Sequence, residues 1–354
     1  MTDLLIRREG RAGRITLNRP KALNALTYQM CLDIEAALDA WRNDEALDLV
    51  VIDAEGDKAF SSGGDIAEMY RSGTAGDYAY GRRFWADEYR LNAKIAEYPK
   101  PYVAFMQGFT MGGGVGVSCH GSHRIVGDTS QIAMPECGIG LIPDVGGSYL
   151  LSRAPGRLGE YVGTTGFRMG PGDAIHIGFA DTYIPEDAWP GLIRDLELTG
   201  NADVLAEAAC SAPPGVLDTR EGFTDRHFRG AAIGDVVRAL ELDDSDTAND
   251  ALKLLSRQSP LAIACAYEVI GRVRGLIGIR SALEMEYRYT YRAMEHGDFI
   301  EGIRAAIIDK DRTPAWRHAT ATTVPATDVT RMLMPLGADK LRLEEPATPM
   351  GETK

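Results

Sequence analysis

Two carboxylates, Glu136 and Asp144, stand in the stretch MPECGIGLIPDVGG, from Met134 to Gly147. Pro135, Pro143, Gly138, Gly140, Gly146 and Gly147 bend this segment, and Ile139, Leu141, Ile142 and Val145 make it apolar. A surface loop would be more polar, and a strand or helix would hold fewer glycines and prolines. A backbone of this kind can fold back so that both acids face one pocket, walled from bulk water by the apolar residues. Burial raises a carboxyl pKa, and two nearby carboxylates push each other's values apart. One ionised base or nucleophile beside one protonated acid is the expected pair. The competing structural reading makes Glu136 a turn cap and Asp144 a loop acid behind Pro143.

Two glycine-rich segments follow apparent strands. Phe60-Ser61-Ser62-Gly63-Gly64-Asp65-Ile66 comes after a strand ending at Ile52, and Met111-Gly112-Gly113-Gly114-Val115-Gly116 after one ending at Met106. Where a strand turns into a helix, glycine leaves backbone N–H groups free and lets a ligand approach closely. Two such groups aimed at one point would stabilise an oxyanion forming on a carbonyl carbon. Taken singly, each segment is better read as a tight turn. Other chemistries lack their motifs: there is no HExxH, no GxSxG elbow, no P-loop and no GxGxxG. The six histidines show no metal-ligand spacing, and His120 and His123 read as structural.

The elements that must carry these residues alternate. Leu4–Arg7 and Arg14–Leu17 read as strands, followed by a helix with Thr27 as N-cap and Met30, Ile34, Leu38 and Trp41 at helical spacing. Leu49–Ile52 and Tyr102–Met106 are strands of the buried type, and Ile125–Val126 and Ile132–Met134 look like shorter ones. This alternation argues for an α/β core over residues 1–202. Residues 213–247 give no strand signal, and Ile263–Val273 and Leu283–Met294 read as helices. A helical region over 203–343 and a frayed tail over 344–354 complete the expected organisation.

In the helix near Arg83–Glu97, Glu88 shares an apolar stripe with Phe84, Leu91 and Ile95. An acid on a buried face is costly unless it is bonded. An ion pair to Arg82 or Arg90 is one explanation for it.

A chain of 354 residues with 45% hydrophobic and 25% charged residues is ordinary for a globular protein. The net charge of −13 argues against nucleic acid or an anionic membrane as partner. Five cysteines without a CxxC pair fit reduced thiols, and no leader or membrane-spanning run is evident. A cytoplasmic location is therefore expected.

The segments LNRPKALNAL (Leu17–Leu26), KAFSSGGDIAEM (Lys58–Met69), PKPYVAFMQGFTMGGG (Pro99–Gly114) and MPECGIGLIPDVGG occur in an order that resembles the enoyl-CoA hydratase/isomerase (crotonase) superfamily. The resemblance implies a crotonase-type ββα spiral core and an acyl-CoA substrate. It also implies that the Gly64 and Gly113 N–H groups polarise the thioester carbonyl. One departure narrows it. Gly116 stands where hydratases of the superfamily carry a catalytic glutamate, so only Glu136 of that pair remains. Asp144 stands where hydratases carry a small residue.

TMGGGVGVSCHG, MPE…IPDVGG and EGIRAAIIDKDRTPAW (Glu301–Trp316) look like the branch that hydrolyses 3-hydroxyisobutyryl-CoA-like thioesters. That branch implies Glu136 as nucleophile or base and Asp144 as orienting residue or acid. It makes Glu88 a contact of the acyl hydroxyl. Lys310 and Arg312 become candidates for the coenzyme A phosphates. No metal or prosthetic group is implied, since coenzyme A is part of the substrate, and homo-oligomerisation stays open. An enoyl-CoA hydratase or isomerase and a non-catalytic acyl-CoA-binding protein are the alternatives.

Overall fold

The computed structural model describes residues 2–344. β1 (Leu4–Glu9) and β2 (Ala12–Leu17) form an antiparallel hairpin. The chain then winds between two sheets: β3 (Leu49–Ala54) precedes β4 (Ala59–Ser61), β5 (Tyr102–Met106) precedes β6 (Phe109–Met111), and β7 (His123–Val126) precedes β8 (Gln131–Ala133). β9 (Thr182–Tyr183) closes the series. The larger sheet runs β1-β2-β3-β5-β7-β9 and is parallel from β2 onward, while β4-β6-β8 form a smaller, all-parallel sheet. Each turn of this spiral thus leaves one strand in each sheet.

Both faces of the larger sheet are covered, which explains why its strands read as continuous apolar runs. Val50, Ile52, Ala104 and Met106 join the main core, whereas Leu49, Val51, Val103 and Phe105 pack on the opposite face against Trp189 and Leu196 of the helix Trp189–Thr199. Successive residues of one strand therefore serve two cores, as a period of two requires. Tyr28–Trp41 starts where its sequence indicates: the Thr27 side chain accepts the Met30 N–H at 3.2 Å.

Beyond residue 203 the described chain is helical. The segment without a strand signal contains the helices Leu217–His227, Ile233–Glu241 and Asp246–Leu255. Pro260–Val273 and Gly278–His296 extend the two helices expected there. Of the expected tail, Glu344 is exposed and paired to Arg280 at 2.9 Å, and residues 345–354 lie outside the described residues.

Candidate active site

The small sheet assembles the site. Its three strands are parallel, so their C-terminal ends lie abreast, and ligands gather at such ends. β4 delivers Gly63 and Gly64, β6 delivers Gly112 and Gly113, and β8 delivers Pro135 and Glu136. These residues line one cavity of about 620 Å³, together with Glu88 and Asp144. Gly64, Gly113, Glu88, Glu136 and Asp144, the residues expected at the acyl group, are thus brought together. Phe84, Trp85, Leu141 and Val145 supply apolar wall.

Gly63 has φ +105° and Gly112 has φ +50° with ψ −119°, conformations that L side chains rarely adopt. Neither the Gly64 nor the Gly113 N–H finds an acceptor among the described residues. The two groups are neighbours: a Cβ on Gly113 would sit 3.3 Å from the Gly64 nitrogen and 2.9 Å from Glu88 Oε1. Two free donors side by side in a buried cavity can hold a developing oxyanion.

Glu136 opens the short turn Glu136–Ile139, is buried, and leaves Oε2 without a partner. Burial, and then the charge of Asp144, hold its carboxyl well above the ordinary value. The C-terminal region seals this turn, because Gly302 packs so closely on Ile139 that a Cβ there would lie 2.2 Å from the Ile139 carbonyl oxygen.

Asp144 is also buried, and burial lifts it to about 7. Tyr89 Oη opposes that rise by donating to Asp144 Oδ2 at 2.7 Å. Of the two acids Asp144 is the better placed to carry charge, because Tyr89 donates to it and its charge in turn raises Glu136.

Glu88 sits on the buried face of Ala79–Ala96, with Oε1 unpartnered. The ion-pair explanation is overturned. Arg82 bonds Glu295 at 2.9 Å, and Arg90 bonds Glu35 at 2.8 Å and Asp87 at 2.7 Å. With no cation paired to it among the described residues, burial, and then the charge of Asp144, push Glu88 far upward.

His120 Nε2 donates to the Val145 carbonyl at 2.8 Å, and burial lowers its pKa to about 4 despite that bond, which keeps the ring neutral. Lys310 and Arg312 are exposed and do not line the cavity. They follow Ile307, which does line it. Arg304 binds the intervening acids Asp309 and Asp311 at 2.6 and 2.7 Å, and neither Lys310 nor Arg312 forms an ion pair among the described residues. No group of His, Cys, Asp and Glu among the described residues is arranged to hold a metal ion, and no helix there is long and apolar enough to cross a membrane.

Sequence reasoning missed Tyr89 and Glu286. Glu286 is fully buried on Gly278–His296 and accepts the Gly146 and Ser148 N–H groups at 2.9 and 3.0 Å. The criterion that marked Glu88, an acid on an apolar stripe, also fits Glu286 between Ala282 and Ala293.

Comparison with known proteins places this geometry. The 3-hydroxyisobutyryl-CoA hydrolase, mitochondrial, of Danio rerio is 36% identical, over 97% of this chain and 92% of the relative. Its Homo sapiens counterpart is 34% identical, over 96% and 90%. Among solved structures, one described as an enoyl-CoA hydratase from Rhodobacter sphaeroides 2.4.1 is 55% identical, with a TM-score of 0.93, over 96% of this chain and all of that one. A carnitinyl-CoA dehydratase from Mycobacterium thermoresistibile is 41% identical, with a TM-score of 0.92, over 97% of this chain and 99% of that one.

The curated relatives are named as mitochondrial proteins, which overturns the expected cytoplasmic location. Unpaired cysteines fit a reducing compartment but do not tell one such compartment from another. The family model for enoyl-CoA hydratase/isomerase matches residues 12–333, nearly everything that builds and seals the cavity. With the spiral of two sheets and the paired glycine turns, that match settles the family: the chain belongs to the enoyl-CoA hydratase/isomerase family.

Proposed function

We propose that this enzyme hydrolyses a short branched 3-hydroxyacyl-CoA of the 3-hydroxyisobutyryl-CoA type, releasing coenzyme A and the free hydroxy acid. The observation that supports it best is the pair Glu136 and Asp144 in one buried cavity with two unpartnered N–H groups. The curated relatives named for this hydrolysis align over nearly their whole length.

In this reading the thioester oxygen accepts from the Gly64 and Gly113 N–H groups, and the carbonyl carbon becomes electrophilic. Glu136 acts in one of two ways. It attacks that carbon and expels the thiolate, leaving an anhydride that water opens, or it takes a proton from water that attacks directly. Asp144 orients the water or protonates the departing thiolate. At rest Glu136 holds its proton more firmly than Asp144, because Tyr89 stabilises charge on Asp144 and that charge raises Glu136. Glu136 therefore becomes active when its proton passes to Asp144, which can then deliver it to the departing thiolate, and the pair works as a unit.

Glu88 Oε1 meets the acyl hydroxyl, and Lys310 and Arg312 meet the coenzyme A phosphates beyond Ile307. The reaction so written needs no metal or prosthetic group. All its residues come from one chain, so it sets no requirement on oligomeric state.

Hydration of an enoyl-CoA is the second reading, carried by the name of the Rhodobacter sphaeroides structure. Gly116 weighs against it. It supplies no carboxylate, and a Cβ there would lie 2.7 Å from Asn92 Nδ2 and 2.9 Å from Val145 Cβ.

A panel of acyl-CoAs separates the readings. Hydrolysis releases free thiol from 3-hydroxyisobutyryl-CoA, hydration alters crotonyl-CoA without thiol release, and a binding protein leaves both esters intact. Thiol release is the expected result, and its absence with every ester would reject the hydrolase reading.

A further inference from the structure

Glu286 does not line the cavity, yet its carboxylate is spent entirely on the turn that follows Asp144. Oε2 accepts the Gly146 N–H at 2.9 Å, and Oε1 accepts the Ser148 N–H at 3.0 Å together with the Ser148 hydroxyl. That turn is conformationally demanding. Val145, a β-branched residue, has φ +51°, and Gly146 has φ +79°. A β-branched residue in this region is an outlier that persists only where its surroundings over-determine it. Here they do so from two sides. His120, just beyond the helix Gly113–Ser118, holds the Val145 carbonyl at 2.8 Å, and Glu286 holds the next N–H groups from the C-terminal helix. The Gly147 N–H then closes back on the Asp144 carbonyl at 2.6 Å.

A carboxyl buried this deeply is costly, and an apolar residue on the same stripe would pack at lower cost. Neighbours such as Ala282, Leu283 and Ala293 show what the stripe otherwise selects. We propose that Glu286 is a positioning residue: it locks the turn from Asp144 to Ser148 and thereby fixes the Asp144 carboxyl in the cavity against Tyr89. The inference rests on thioester hydrolysis through Asp144. A small displacement of that carboxyl would leave substrate contacts intact and slow the chemical step.

The test compares thiol release per folded molecule from 3-hydroxyisobutyryl-CoA. Wild-type enzyme that releases no thiol defeats the hydrolase reading itself, independently of Glu286. Given wild-type release, Glu286→Gln should lower kcat by about 10-fold or more with KM within about 2-fold, because binding groups are untouched. Introduced into Asp144→Asn, the same change should cost less than about 3-fold, since the residue it acts through is already disabled. Glu160→Gln is the control. Glu160 is buried and ion-paired with Arg157 and Arg274, away from the cavity, so its loss should lower stability and leave kcat per folded molecule alone. Ser148→Ala removes one donor to Glu286 without a new group, and should lower kcat several-fold even if Glu286→Gln does not fold. A folded Glu286→Gln enzyme at wild-type kcat, equal losses in both Asp144 backgrounds, or a non-folding Glu286→Gln with an unaffected Ser148→Ala would each overturn the proposal.

Discussion

Tyr89 Oη donates a 2.7 Å hydrogen bond to Asp144 Oδ2, joining the helix that carries Glu88 to the loop that carries the second acid of the cavity. The bond stabilises the Asp144 anion against the burial that lifts it to about 7. Tyr89→Phe removes the donor, so the charged form loses a partner and the pKa climbs further. The ascending limb of kcat against pH should therefore move to higher pH, by up to about one unit. A profile and kcat identical to wild type would show that the bond does not set the charge on the pair.

Gly113→Ala tests the oxyanion donors. The added methyl would lie 2.9 Å from Glu88 Oε1 and 3.3 Å from the Gly64 nitrogen, inside the space a thioester oxygen needs. Alanine keeps the N–H, but a methyl that bars the oxygen from it should cost as much as loss of the donor, about 10²–10³ in kcat. The variant should retain its circular dichroism spectrum and lose at least that factor in thiol release. Wild-type turnover would place the carbonyl elsewhere.

Much of this site could be read in the sequence because its constraints are local. Free N–H groups at strand ends call for glycine, and an acid in an apolar, bent segment calls for a pocket. The Tyr102–Met106 strand spans the residues its buried pattern indicates. The strands β4 and β6 escaped notice because they are short and run straight into the glycine-rich turns, whose composition dominates the reading of those segments. The helix Leu217–His227 was hidden by its charged, weakly patterned sequence LDTREGFTDRH. Non-local partners were the larger obstacle. Only the fold brings Glu295 to Arg82 and Glu35 to Arg90, leaving Glu88 without a cation, and Glu286 reaches Gly146 from another part of the chain.

Gly116→Glu should not turn this enzyme into a hydratase. Asn92 Nδ2 and Val145 Cβ already stand 2.7 and 2.9 Å from where a Cβ would go. Overpacking of a buried position costs about 1–3 kcal/mol or more. The variant should melt at lower temperature than wild type and leave the ultraviolet absorbance of crotonyl-CoA unchanged. Brisk hydration by a stable variant would contradict this packing.

The buried carboxyls also set a pH dependence of stability. Asp144 rises on folding from its ordinary 3.8 to about 7, and Glu286 from 4.5 to about 8, chiefly through burial. A group whose pKa is raised by folding favours the native state in its neutral form. That contribution is complete below the ordinary carboxyl value and is lost as pH climbs through the folded value. Asp144→Asn, which cannot ionise, should thus gain stability relative to wild type as pH rises from about 5 to 8. Urea midpoints at several pH values measure this, and a difference that stays constant with pH would be the contrary result.

The central claim, that Glu136 and Asp144 act together on a thioester, is tested most directly by a double-mutant cycle on thiol release from 3-hydroxyisobutyryl-CoA. Glu136→Gln alone should lower kcat by about 10²-fold or more, and Asp144→Asn alone should slow turnover strongly. The double variant should fall little below the worse single, because a pair that works as a unit is already disabled by either loss. Losses that multiply in full, or a folded single variant at normal rate, would contradict it.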